Sequence, residues 1–187
     1  MYKTMAAWLL GLAIALPASA LAASKDEKRQ DIRDVTQNTL DRLYKAQPKA
    51  KEAIDRSAGY AVFSNFGMKI LFAGGGKGSG IAVNRKTKAE TFMQMVEVQA
   101  GLGIGVKKFR LVWVFEKQSD LDAFINKGWE IGGQATASAQ LSGQGQELYA
   151  GAMSIKPGVW LYQLSDDGLA VELTAKGTKY YKDNELN

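Results

Sequence analysis

From Gly59 onward, short runs of β-branched and aromatic residues are broken every few positions by glycine. Such runs favour a pleated, half-buried strand, and glycine among them marks bulges, sharp coiling or close backbone approach. The runs are residues 60–66, 69–73, 81–85, 92–100 and 107–117. After them, Ser119-Asp120-Leu121-Asp122 reads as a capping-box-like start of a short helix that Gly128 closes. Residues 130–141 and 148–155 follow, then a hairpin in which 159–164 and 169–175 flank Ser165-Asp166-Asp167-Gly168, a loop of turn formers. Leu169, Val171, Leu173 and Ala175 alternate with Ala170, Glu172 and Thr174, the pattern of a strand with one wet face. The predicted fold class is α+β: a curved antiparallel sheet or flattened barrel of about eight strands, with an N-terminal amphipathic helix and one short internal helix.

The N-terminal third has a different texture. Ala6 to Leu16 is apolar, Pro17 breaks the run, and Ala20-Leu21-Ala22 supplies the small-x-small pattern of a signal-peptidase site. The apolar run falls short of the ~20 residues that a spanning helix needs. Residues 1–22 are therefore expected to be a cleaved signal peptide and the protein to be periplasmic. With no cysteine after the site, no lipoprotein is expected. Ser24-Lys25-Asp26-Glu27 reads as a capping box. After it Ile32, Val35, Thr39, Leu43 and Ala46 recur at helical spacing, widened by Leu40 and Tyr44. Pro48 interrupts the helix, and residues 49–57 continue as a short second one carrying Ala53 and Ile54. The other face mixes nine basic and seven acidic residues between Lys25 and Arg56, a solvated surface rather than a polybasic membrane helix. Residues 23–58 thus form a helical segment and 59–187 the β core of a single domain. The tail from Lys176 is polar, with Tyr180 and Tyr181 as its anchors.

The 187 residues include no histidine and no cysteine. Without imidazole or thiol there is no Ser-His-Asp or Cys-His nucleophile, no ordinary zinc or haem ligand set, and no disulfide. Carboxylates are the remaining acid–base material. Asp120 and Asp122 open a helix, where negative charge suits the dipole, and Asp166 and Asp167 sit in a turn. Neither pair has the apolar setting that raises a carboxyl pKa for general-acid work. The expectation is no enzyme, no metal and no cofactor. Gly74-Gly75-Gly76-Lys77-Gly78-Ser79-Gly80 invites a phosphate-loop reading but fails on spacing, because Ile81 follows the last glycine. It reads instead as a glycine-rich hairpin that presents Lys77.

Charge along the chain is more informative. Between residues 69 and 110 lie Lys69, Lys77, Arg85, Lys86, Lys88, Lys107, Lys108 and Arg110, against Glu90 and Glu97 alone. Residues 111–175 carry three basic residues against eight acidic. Separation of this kind gives a folded domain an electropositive face suited to anionic lipid head groups. Those eight basic residues are the candidate lipid-binding set. Nucleic acid is not the expected partner, because no aromatics interleave the basic loops.

Ser57-Ala58-Gly59-Tyr60-Ala61-Val62-Phe63, followed by the glycine-rich stretch 74–80, resembles the opening of the SYLF domain family. Val98-Gln99-Ala100-Gly101-Leu102-Gly103-Ile104-Gly105 is similar to the family's central glycine-rich motif, and residues 124–139, ending Gly132-Gly133-Gln134-Ala135-Thr136-Ala137, also fit. The resemblance runs from about Ile32 onward. It implies a lipid-binding module: eukaryotic members bind phosphoinositide-rich membranes, some fungal members bind and bundle actin, and bacterial relatives are small exported proteins. It transfers no catalytic residue. This chain departs from the eukaryotic pattern in having a signal peptide and no accompanying SH3 or zinc-binding module. The function expected is reversible binding of anionic, phosphoinositide-like head groups at the cell envelope through basic loops. The alternative is an envelope scaffold that binds another protein or polymer through a sheet edge or through Tyr180 and Tyr181; a carboxylate hydrolase ranks third.

Overall fold

Helix α1 (Ser19–Ala46) stops at the residue pair before Pro48, and α2 (Lys49–Arg56) resumes immediately after it. The proline cannot donate the hydrogen bond that would carry one helix into the next. In the computed structural model the backbone is described for residues 19–70, 73–100, 105–131, 140–141, 147–165, 168–170 and 178–187; side chains are described for 25–64, 76–96, 109–130, 147–165 and 178–187. The helix runs through Ser24 instead of starting there, so the expected capping box is not its N-terminus. Ala20, Leu21, Ala22 and Ala23 are strong helix formers and extend it backwards.

The strands are β1 (Gly59–Ile70), β2 (Ala73–Asn84), β3 (Glu90–Ala100), β4 (Gly105–Phe115), β5 (Trp129–Ile131), β6 (Gln140–Leu141), β7 (Met153–Lys156), β8 (Val159–Ser165), β9 (Gly168–Ala170) and β10 (Thr178–Lys182). Helix α3 (Gln118–Lys127) follows β4. All described pairings are antiparallel, in the order β5-β10-β3-β2-β1-β4-β8-β7-β6, with β9 beside β8. The sheet curls into a half-barrel, and the class is α+β as the sequence predicts. Ten strands are described where about eight are expected. Runs 60–66 and 69–73 merge largely into β1. The expected strands 130–141 and 169–175 lie largely outside the described residues, which take in only 129–131, 140–141 and 168–170, as β5, β6 and β9.

Two predicted boundaries change. Helix α3 starts at Gln118 after Lys117, with no side-chain cap, rather than at a Ser119 box; its end at Gly128, with φ +68, is as expected. More important, the glycine-rich stretch is no hairpin loop. It lies within β2, paired with β1 on one side and β3 on the other. Its glycines alternate with Lys77, Ser79 and Ile81, so one face of this part of the strand is nearly bare. At Gly80 a Cβ would strike the Val62 carbonyl oxygen and the Phe63 ring.

That bare face belongs to the larger core. Phe63, Trp113, Phe115, Phe124 and Tyr180 are all fully buried there. Tyr180 lies edge-on to Phe63 at 4.9 Å and to Trp113 at 5.3 Å, and α3 contributes Leu121 and Phe124. Tyr180 is therefore the middle of the core, not an exposed aromatic for a partner. Tyr181 is half-buried, and its hydroxyl donates to Gln94 Oε1 at 2.9 Å. The opposite face is covered by α1 and α2, whose Leu40, Leu43, Ala50, Ala53 and Ile54 pack on Val62, Val112, Val114, Trp160 and Tyr162. In the predicted stripe of α1, Ile32 is half-buried, Val35 is 37% exposed and Ala46 is exposed, while Thr36 is buried.

Candidate functional site

The antiparallel registers put the helix-side face of the sheet into rows that cross the strands. One row, Phe92–Ile81–Val62–Val112–Tyr162, lies beneath α1. Ile32 packs at the Ile81–Phe92 end, and Leu40 and Leu43 at the Val62–Val112 end. The next row on the same face is polar: Tyr181–Gln94–Ser79–Ser64–Arg110. Beside it α1 leaves a cavity of about 100 Å³, bounded by Asp31, Val35 and Thr36 above and by Ser64 and Ser79 below. The row after that reads Glu130–Lys179–Val96–Lys77–Phe66–Lys108 across β5, β10, β3, β2, β1 and β4, with one carboxylate at its β5 end.

This third row sits four residues along the strands from the row under α1, or about 13 Å at 3.3 Å per residue. A helix with its side chains is only about 5–6 Å in half-width, so the row clears the flank of α1. Lys77 and Lys179 are exposed, and neither forms an ion pair with a described residue; Val96 between them is half-buried. Sequence reasoning picked out Lys77 and Lys108 but missed Lys179. The signal was there: Thr178 and Tyr180 point into the core, which leaves Lys179 on the other side of a period-two strand.

The other sequence-predicted residues separate from this row. Arg85, Lys86 and Lys88 occupy the β2–β3 turn, about 26 Å along β2 from Lys77 to Arg85 by strand rise. Asn84 Oδ1 shapes that turn by accepting the N–H groups of Lys86 and Thr87, both at 3.0 Å, and Lys88 adopts φ +61. Arg85 is engaged, since its Nη1 donates to Asp55 Oδ1 at 2.6 Å and ties the turn to α2. Hydrogen bonds from Lys51 and from Arg85 hold the Asp55 carboxyl below the usual carboxylate range. Lys86 and Lys88 are exposed. Lys69 and Lys107 lie on β1 and β4 near the row's end of the sheet, opposite Gly105 and Gly67 respectively. Arg110 belongs to the polar row and is half-buried. The eight basic residues thus divide between two ends of the sheet, and the longer grouping spans strands rather than loops.

The carboxylates have structural partners. Asp120 receives Lys156 Nζ at 2.6 Å, and that ammonium lies over the Trp129 ring at 4.7 Å. Asp122 accepts from Gln118 at 2.8 Å. Asp166 and Asp167 lie outside the described residues. Among the described residues, no three carboxylates cluster in a way that could hold a metal ion. A shallow cleft of about 500 Å³ beside the N-terminal half of α1 carries two guanidinium groups, both committed: Arg33 to Glu90 at 2.9 Å, and Arg29 to Asp26 and to the Leu186 carbonyl, each at 2.8 Å. No described helix is long and apolar enough to cross a membrane.

Residues 96–187 match the family model described as Ysc84, a Las17-binding protein actin regulator. A curated relative, beta cell expansion factor A of Aeromonas veronii, is 34% identical over 161 residues, which is 86% of this chain and 59% of the relative. The chain belongs to the SYLF domain family. The SYLF match from residue 96 takes in Val96 and Lys179 of the lysine row, while Lys77 and Phe66 lie in the part joined to it by the relative's longer alignment. This SYLF chain spans 59% of the length of the relative it matches.

Proposed function

We propose that this SYLF chain is a non-catalytic, exported module of the bacterial cell envelope that binds anionic lipid surfaces reversibly. The observation that carries the reading is the row of lysine positions at alternate strands, on the part of the sheet that α1 leaves open. A lysine near an anionic surface contributes about 1 kcal/mol, so three together hold a protein there weakly and reversibly. The carboxylates' structural pairings and the lack of histidine and cysteine favour binding over catalysis. Export rests on the N-terminal apolar run and its small-x-small site.

The test is co-sedimentation of residues 23–187 with vesicles of increasing phosphatidylglycerol fraction, at low and at physiological salt. Binding that rises with anionic lipid and falls with salt is expected, because the Debye length shortens to ~8 Å at physiological ionic strength. Absence of binding at every composition overturns the proposal. A second reading, a protein partner, is favoured by the family description as a Las17-binding actin regulator. A largely apolar protein interface would survive salt that releases a lysine-held surface.

A further inference from the structure

The lysine row also constrains which anionic head groups it can distinguish, an inference that rests on the lipid-surface reading. Neighbouring strands lie about 4.8 Å apart, so lysine positions on alternate strands are about 10 Å apart. Val96 stands between Lys179 and Lys77, and Phe66 occupies the position between Lys77 and Lys108. Bringing two of these ammonium groups onto one phosphorylated ring would bend both stems over the intervening residue and sacrifice much of lysine's rotamer freedom. Among the described residues, the backbone of the row offers nothing to complete such a pocket. At Lys77, β2 is laddered to β1 on one side and to β3 on the other, so its N–H groups are committed to the sheet. Sites that select a polyphosphate bring several donors to converge on one head group, whether guanidinium forks, ammonium groups or free backbone N–H groups.

We infer that the Lys179–Lys77–Lys108 row reads the charge density of a bilayer, one lysine to each singly charged phospholipid, and does not select a polyphosphorylated head group. Lysine suits this role because its ammonium is a point charge without the planar fork that confers head-group geometry on arginine.

The experiment compares vesicles of phosphatidylglycerol, phosphatidylserine and phosphatidylinositol bisphosphate, each diluted in phosphatidylcholine to the same measured surface potential. Wild-type protein should partition onto all three within about threefold, since equal potential gives equal attraction. Soluble inositol hexakisphosphate should displace it no better than another salt at matched ionic strength. A preference of about tenfold or more for one lipid at equal potential overturns the inference. So does strong displacement by the soluble polyphosphate, while both results leave lipid binding itself standing. Wild-type protein that binds none of the three vesicles overturns the lipid-surface reading and this inference with it. The Lys77→Gln, Lys179→Gln variant, checked for an unchanged circular dichroism melt, should lose the same factor on every lipid. Loss confined to one head group overturns the inference.

Discussion

Replacing Gly80 with alanine adds one methyl group to a strand face that has no room for it. The new Cβ would meet the Val62 carbonyl oxygen and two carbons of the Phe63 ring. Phe63 cannot swing clear, because it is fully buried against Phe124 at 6.1 Å and Tyr180 at 4.9 Å. The carbonyl cannot move without disturbing the β1–β2 ladder. Overpacking of this kind costs about 1–3 kcal/mol, and a rigid neighbour puts the cost near the upper end. Alanine recovers part of that, about 0.5–1 kcal/mol, by losing less backbone freedom on folding than glycine. The net expectation is destabilisation by about 2 kcal/mol, or a drop of about 4–8 °C in Tm for a domain of this size. Thermal and urea denaturation followed by circular dichroism would measure it. Ser79→Ala, one residue away on the opposite face and exposed, is the control and should shift stability by less than about 0.5 kcal/mol. A Gly80→Ala protein as stable as wild type would refute the idea that the glycines of β2 exist to admit the aromatic core.

Other consequences are open to measurement. Leu43→Ala empties a fully buried position under α1 and should cost about 2–5 kcal/mol by denaturant titration. Asp55→Asn should cost about 0.5 kcal/mol or less at neutral pH, because the ion pair is well exposed to solvent. Since the folded-state pKa of Asp55 is depressed, its contribution is present above the unfolded value near 4 and is lost as pH falls through the lower folded value; wild type and variant should therefore converge in acid. At the alkaline end, burial pushes the Tyr44 hydroxyl up to about 12, with Tyr60 as the next contributor, and Tyr149 and Tyr162 are raised by burial as well. Groups raised in the folded state contribute fully below the unfolded pKa near 10 and lose that contribution as pH climbs through the folded values. Spectrophotometric titration should accordingly show late tyrosine ionisation coupled to unfolding; ionisation of all tyrosines near pH 10 with the fold intact would contradict it.

Punctuation residues made much of this fold readable. Pro48 divides α1 from α2 and Gly128 ends α3, because each fixes or frees a backbone angle whatever surrounds it. The glycine-rich stretch was misleading for the opposite reason. Glycine is a poor strand former by intrinsic preference, and only the packing of Phe63 on Gly80 shows why a strand needs it there. Tyr180 was hidden similarly: its neighbours Thr178, Lys179 and Lys182 make the segment look polar, while the alternation puts Thr178 and Tyr180 inside. The candidate site was legible as a list of lysines but not as a surface. Lys77 and Lys179 are 102 positions apart in sequence and meet across β3 only through the register.

Position, rather than net charge, is what the account says matters. Lys77→Gln with Lys179→Gln and Lys86→Gln with Lys88→Gln remove the same two charges, from opposite ends of the sheet. The decisive measurement is the partition coefficient of each double variant on phosphatidylglycerol-containing vesicles. The account predicts about a 30-fold loss for the first pair, from about 1 kcal/mol per lysine. It predicts less than about threefold for the second, whose turn begins about 26 Å from Lys77, well beyond a Debye length. Equal losses, or a larger loss from the turn pair, would contradict it.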